Sequence, residues 1–172
     1  MTGYLEQVVD RVLLGILHLL FRIDASSLRR MPRRGPGIII TNHTTNLEGP
    51  MEYLLIQPRP ATALGKRELW AHWYTRVFMK LWDVIPLNRG EVDTRAMREA
   101  VRALERGLYL GMAPEGTRSR SGVLGRGHPG IALVATRRAV PIYPIVQEGL
   151  LSAGRKLRSF RRPAVTFRLG RP

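Results

Sequence analysis

No cysteine occurs in the 172 residues, which excludes a disulfide framework, a thiolate metal site and a thiol nucleophile. The four histidines, His18, His43, His72 and His128, are too scattered for metal-ligand spacing, so no bound metal is expected. Lysine is nearly absent: only Lys66, Lys80 and Lys156 stand among the 28 basic residues. Acidic residues are scarce in the second half, where residues 116–172 hold twelve Lys or Arg against the single Glu148. Such a surface attracts nucleic acid, a phospholipid membrane or a phosphate-bearing substrate or cofactor. Arginine is suited to bidentate phosphate binding, although codon bias alone also produces so general an excess.

Long hydrophobic runs are missing too. Val12 to Phe21 rises only about 15 Å as a helix, half of a hydrocarbon core. It follows Glu6, Gln7 and Asp10, without the basic n-region and small-residue cleavage site of a signal peptide. Two readings fit residues 4–23 equally: an amphipathic helix lying in a membrane interface, or an ordinary helix packed on the domain. Residues 24–36 carry Arg29, Arg30, Arg33 and Arg34 among Pro32, Gly35 and Pro36 and read as a basic, turn-rich connector. The expected division is therefore an N-terminal helix and connector over 1–36 and one main domain over 37–172. The length supports no second domain.

Within that domain, strand-like runs at Gly37 to Thr41, Ala61 to Gly65, Val84 to Leu87, Leu108 to Ala113 and Pro141 to Val146 alternate with helical patterns. The helices are expected at Pro50 to Gln57, Glu68 to Trp82, Val92 to Arg106 and Pro129 to Arg138. This alternation predicts an α/β domain with a largely parallel central sheet flanked by helices. A last alternating run, Ala164 to Leu169, is expected to add an edge strand. The helix at 68–82 contains Trp70, Trp73 and Trp82. Aromatics at helical spacing are most simply core; the functional alternative is a wall for an acyl chain or an interfacial contact.

Four pieces with chemical potential sit at or next to predicted strand ends, where ligand sites of open α/β sheets concentrate. The first is Asn42-His43-Thr44-Thr45-Asn46-Leu47-Glu48. A histidine and a carboxylate five apart stand about 140° apart on a helix and on opposite faces of a strand, so they pair only across a turn. The other pieces are Arg89, the run Glu115-Gly116-Thr117-Arg118-Ser119, and Val140 to Pro144 around Pro141. Thr45 to Glu48 is also a capping-box pattern, in which Glu48 bonds the backbone at Thr45. Glycine for close approach, two hydroxyls and a guanidinium are the parts of a phosphate cradle. In that loop Glu115 is suited to accept backbone N–H bonds rather than to act as an acid.

At these residues the chain resembles the glycerolipid acyltransferases, typified by the 1-acylglycerol-3-phosphate acyltransferases. The family pattern is Asn-His, four residues, Asp; a strand ending in arginine; Glu-Gly-Thr-Arg-Ser; and a hydrophobic segment around a proline. Glu115 to Ser119 reproduces the third piece unbroken, while Glu48 replaces the aspartate and is one methylene longer. A second departure is His128-Pro129-Gly130, where many relatives have lysine before the glycine.

The resemblance implies an enzyme that moves a fatty acyl group from acyl-CoA or acyl carrier protein to a lysophospholipid hydroxyl, most simply lysophosphatidic acid. No cofactor is implied beyond the donor substrate. His43 would be the general base and Glu48 its partner; Arg89 and Glu115, Gly116, Thr117, Arg118 and Ser119 would form the phosphate site, with Pro141 in the hydrophobic segment. The expected location is peripheral or monotopic on the cytoplasmic face of a membrane. Another lysophospholipid or another phosphate-bearing acceptor is the alternative within the class. Outside it stands a catalytically impaired protein that binds anionic lipid or nucleic acid; nucleic acid is not the expected partner, because aromatics and basic residues are not interleaved on strands.

Overall fold

The computed structural model describes residues 3–90 and 93–172, apart from the side chain of Ile131. Its centre is a seven-stranded sheet in the order β1-β7-β6-β2-β5-β3-β4. The strands are β1 (Arg22–Asp24), β2 (Gly37–Thr41), β3 (Ala61–Lys66), β4 (Ile85–Leu87), β5 (Tyr109–Met112), β6 (Ile142–Glu148) and β7 (Ala164–Leu169). Every pairing is parallel except β6 with β7. The sheet is thus the mostly parallel one expected from the alternating elements.

Strand periodicity assigns side chains to the two faces. Ile39 of β2 joins Met51, Tyr109, Ile145, Val165 and Phe167 in one core. Ile38 enters the other with Leu110 and the small stripe Ala96, Ala100, Ala103 and Leu104. That stripe lies on α4 (Thr94–Glu105), which covers this face with α5 (Gly130–Arg137). The opposite face carries α1 (Tyr4–Leu20), α2 (Glu48–Ile56) and the short α6 (Ala153–Arg158).

Several expectations are corrected. The run 164–169 is a strand, but it lies inside the sheet between β1 and β6. The edge on that side is β1, three residues long and formed from the end of the N-terminal segment, and β4 forms the other edge. Residues 24–36 are more than a connector: a 3-10 turn, Ser26–Arg30, buries Leu28, and Met31 is buried just after it. Arg59 clamps this turn, its buried guanidinium donating to the carbonyls of Leu28, Met31, Pro32 and Ile56.

The helix expected at 68–82 is broken. A 3-10 turn, Arg67–Trp70, ends before α3 (Trp73–Leu81), and His72 between them is extended at φ −98°, ψ 135°. Side chains recapture the carbonyls freed by the break: the Thr75 hydroxyl bonds the carbonyl of Leu69, and Arg76 Nε bonds that of Trp70 at 2.7 Å. Only Trp82 of the three tryptophans is buried, whereas Trp73 is 78% exposed. For the helix expected at 92–106, Val92 lies outside the described residues.

The amphipathic helix α1 is turned with its polar side inward. Asp10, its one buried residue, accepts from the Trp82 indole at 3.0 Å, and Glu6 accepts from the Tyr53 hydroxyl at 3.1 Å. Leu5, Val8, Val12, Ile16 and Leu19 recur at helical spacing and are exposed. Among the described residues no helix is long and apolar enough to cross a membrane.

Candidate active site

The short β2 runs parallel to both neighbours and ends at Thr41, so His43 stands in the loop at the strand-end side of the sheet. The chain then turns into α2, whose first residue is Glu48. This turn overcomes the angular separation of the pair: His43 Nδ1 bonds Glu48 Oε1. The imidazole is 17% exposed and the carboxylate 2%. Glu48 also accepts from the Thr44 and Thr45 backbone N–H groups at 2.9 and 3.0 Å, and from the Thr45 hydroxyl. The pairing with histidine and the contact with the Thr45 backbone, alternatives in the sequence, therefore coexist, because a glutamate has two oxygens and the reach to fold back over its own turn.

Burial raises the Glu48 carboxyl, but the bonds from His43, Thr45 and the backbone outweigh it and hold the group below the usual carboxylate range. A carboxylate that stays ionised makes Nδ1 the proton-bearing nitrogen. Nε2 is left as an acceptor, the arrangement a general base requires.

The loop carrying His43 is braced from distant strands. Glu115, buried after β5, accepts the His43 backbone N–H at 3.2 Å and that of Gly125 at 2.8 Å. The carbonyl of His43 accepts from the Ser119 N–H at 2.7 Å. Gly116 has φ +61°, and a Cβ there would stand 2.9 Å from the His128 ring, so the turn requires glycine. Thr117 and Arg118 face solvent beside this brace. Arg89 follows β4 at the same end of the sheet, three strands from β2, or about 14 Å by strand spacing. An open cleft of about 540 Å³ lies beside it, lined by Arg67, Glu68, Asn88 and Arg89. Among the described residues neither Arg89 nor Arg118 has an ion-pair partner. Pro141 is not brought to this group: it precedes β6 at the opposite end of the sheet, where its carbonyl accepts from Ile38 N–H.

Two residues of the site escaped the sequence reading. Gln147 on β6 exchanges two bonds with Asn42: its N–H donates to Asn42 Oδ1 at 2.9 Å and its carbonyl accepts from Asn42 Nδ2 at 3.1 Å. Its side chain donates to the Thr44 hydroxyl at 2.6 Å, while Oε1 is buried without a partner among the described residues. The available signal was phase, since 147 alternates with the buried Tyr143 and Ile145. The second is Glu52, one helical turn beyond Glu48, buried and accepting from the Thr41 hydroxyl at 2.5 Å.

Burial pushes the Glu52 carboxyl up to about 8; the bond from Thr41 opposes it, and the Glu48 charge adds a smaller push upward. The folded state thus keeps a proton that the unfolded chain releases near the ordinary glutamate value. This contribution to stability is complete below that value and is lost as pH rises towards 8. Between pH 6 and pH 9 the loss is on the order of 2 kcal/mol. Glu52→Gln keeps an acceptor for Thr41 and removes the titration. Urea unfolding of both proteins at the two pH values is expected to show the variant gaining on wild type by that amount at pH 9.

Residues 22–148, from the first residue of β1 to the last of β6, match the acyltransferase family. The 1-acyl-sn-glycerol-3-phosphate acyltransferase of Borreliella burgdorferi is 25% identical over 126 residues, covering 72% of this chain and 50% of the relative. That of Limnanthes douglasii is 32% identical over 124 residues, covering 69% and 43%. The chain thus spans half or less of these two relatives. The crystal structure of the 1-acyl-sn-glycerophosphate (LPA) acyltransferase PlsC from Thermotoga maritima shares the fold, with a TM-score of 0.76 over 98% of this chain and 68% of that one at 20% identity. The matched span encloses His43, Glu48, the loop from Glu115 to Ser119 and the Gln147 brace, and the chain belongs to the acyltransferase family.

Proposed function

We propose that this protein transfers a fatty acyl group from a thioester, acyl-CoA or acyl carrier protein, to the free hydroxyl of 1-acylglycerol-3-phosphate. The observation that carries the reading is the His43 imidazole seated by Nδ1 on the buried Glu48 carboxylate. In the proposed step His43 Nε2 takes the hydroxyl proton while the oxygen attacks the thioester carbonyl. The C–O bond forms, the C–S bond breaks, and the proton passes to the departing thiolate. Glu48 stabilises the imidazolium in between. No covalent enzyme intermediate is needed.

Arg118, with Arg89, would receive the acceptor's phosphate. A charge-assisted bond of this kind is worth about 1.5–3 kcal/mol. Arg118→Ala is accordingly expected to raise KM for lysophosphatidic acid about ten- to a hundredfold, and to leave monoacylglycerol, which lacks the phosphate, nearly unaffected. Equal losses on both acceptors would argue against a phosphate contact. The exposed stripe of α1 supports a location at a membrane surface, where acceptor and product reside, and the soluble thioester donors favour the cytoplasmic face.

The direct test is thiol release from each donor by purified protein in mixed micelles, with and without lysophosphatidic acid. Release that depends on this acceptor supports the proposal. Release only with another lysophospholipid would keep the class and replace the acceptor. No release with either donor would overturn it in favour of an impaired lipid-binding relative.

A further inference from the structure

Helix α6 ends in a turn whose geometry and chemistry disagree. The N–H of Arg161 bonds the carbonyl of Lys156 at 2.9 Å, and the N–H of Phe160 bonds that of Leu157 at 3.0 Å. This is a Schellman closure, with Phe160 at the left-handed position that glycine normally fills. Its φ is +52° and its ring is fully exposed. Folding in water gains nothing from an aromatic placed there. Around it stand Arg155, Lys156, Arg158 and Arg161, all exposed, and no acidic residue follows Glu148 in the chain.

The turn has a fixed place. Arg162 donates to the carbonyls of His18 and Phe21 at 2.6 and 3.1 Å, tying it to the C-terminal end of α1. There Leu19, the last residue of the outward stripe, is 72% exposed. Because β7 runs antiparallel to β6, with Thr166 opposite Glu148, the turn before Ala164 lies at the sheet end that carries His43. Two strand steps, about 10 Å, separate β7 from β2.

We propose that the turn at residues 158–161 is a second bilayer contact: Phe160 inserts at the acyl boundary while Arg158 and Arg161 bind anionic phospholipid headgroups. The inference rests on the membrane-surface reading above and deepens it by naming the lipid class and the residues that select it. Together with the α1 stripe, the turn would hold the His43 end of the sheet against the headgroup layer. Nucleic acid fits less well, because one aromatic tip offers no row of stacking positions.

The test is flotation of the full chain with vesicles of phosphatidylcholine alone or mixed with phosphatidylglycerol, at fixed salt. Phe160→Asn suits the left-handed backbone, so a loss of binding cannot be assigned to strain. It is expected to lower partitioning to both vesicles about tenfold, in keeping with one aromatic ring removed from the acyl boundary. Arg158→Gln with Arg161→Gln is expected to cost about twentyfold on the anionic vesicles and little on the neutral ones. Micellar acyl transfer should stay at the wild-type level in both variants.

Wild-type partitioning by both variants would overturn the proposal and leave α1 as the contact; a wild type that floats with neither vesicle would overturn the proposal and the α1 contact together. Unchanged flotation with lost binding to duplex DNA would reassign the turn to nucleic acid. Lipid-selective flotation lost in the variants, from a wild type that transfers no acyl group, would support the contact and sink only the reaction.

Discussion

His43→Ala is expected to lower acceptor-dependent thiol release by about a thousandfold, within the range that positioned general bases contribute. The substitution removes the proton acceptor and leaves the turn intact. The backbone of residue 43 still donates to Glu115 and accepts from Ser119, and Glu48 keeps its bonds from Thr44 and Thr45. The loss should therefore fall on kcat, with KM for the phosphate-bearing acceptor nearly unchanged, while the missing donor to the buried Glu48 carboxylate costs about 1–3 kcal/mol in urea unfolding. A variant retaining more than a tenth of wild-type kcat would show that some other group accepts the hydroxyl proton.

Glu48→Gln should be nearly as damaging to the reaction and more damaging to the fold. The wild-type carboxylate gathers donors from His43, Thr44 and Thr45 in a nearly sealed site. An amide offers one acceptor oxygen and turns its NH₂ towards groups that are themselves donors. With Nδ1 no longer held as a donor, the imidazole takes the wrong tautomer, and activity is expected to fall about 10²- to 10⁴-fold. Orphaned donors should cost about 2–4 kcal/mol in urea unfolding. Glu48→Asp keeps the charge but is a methylene too short for this geometry, so it should lose the Thr45 contacts first. An active, fully stable Glu48→Gln would remove the carboxylate from the mechanism altogether.

The parts of this architecture that could be read in advance were those written in contiguous, periodic residues. Ile38, Ile39 and Ile40 announced a buried strand, the Ala96 to Leu104 stripe a helix, and Glu115 to Ser119 a turn with glycine where the backbone needs it. What escaped was non-local. Nothing in Arg22-Ile23-Asp24 signals a strand until Val165 lies beside it. The break at His72 depends on Thr75 and Arg76 capturing carbonyls behind them. Gln147 and Glu52 make sense only against Asn42 and Thr41, which lie 105 and 11 residues away. Glu48 was ambiguous because two local geometries compete for one carboxylate, and its two oxygens satisfy both.

The pairing of β1 with β7 gives this fold an order in time. Arg22 finds its partner in Ala164, and Ser27 bonds the carbonyl of a residue 140 positions later. At ribosomal speeds of about 5–20 residues per second, that interval lasts roughly 7–28 s. Throughout it α1 is already synthesised, while the strand that will fix its end and the arginine that will hold its last carbonyls do not yet exist. The C-terminal end of the helix must therefore pass its first seconds without the strand and the arginine that later hold it, and its apolar stripe is in place before the sheet is complete.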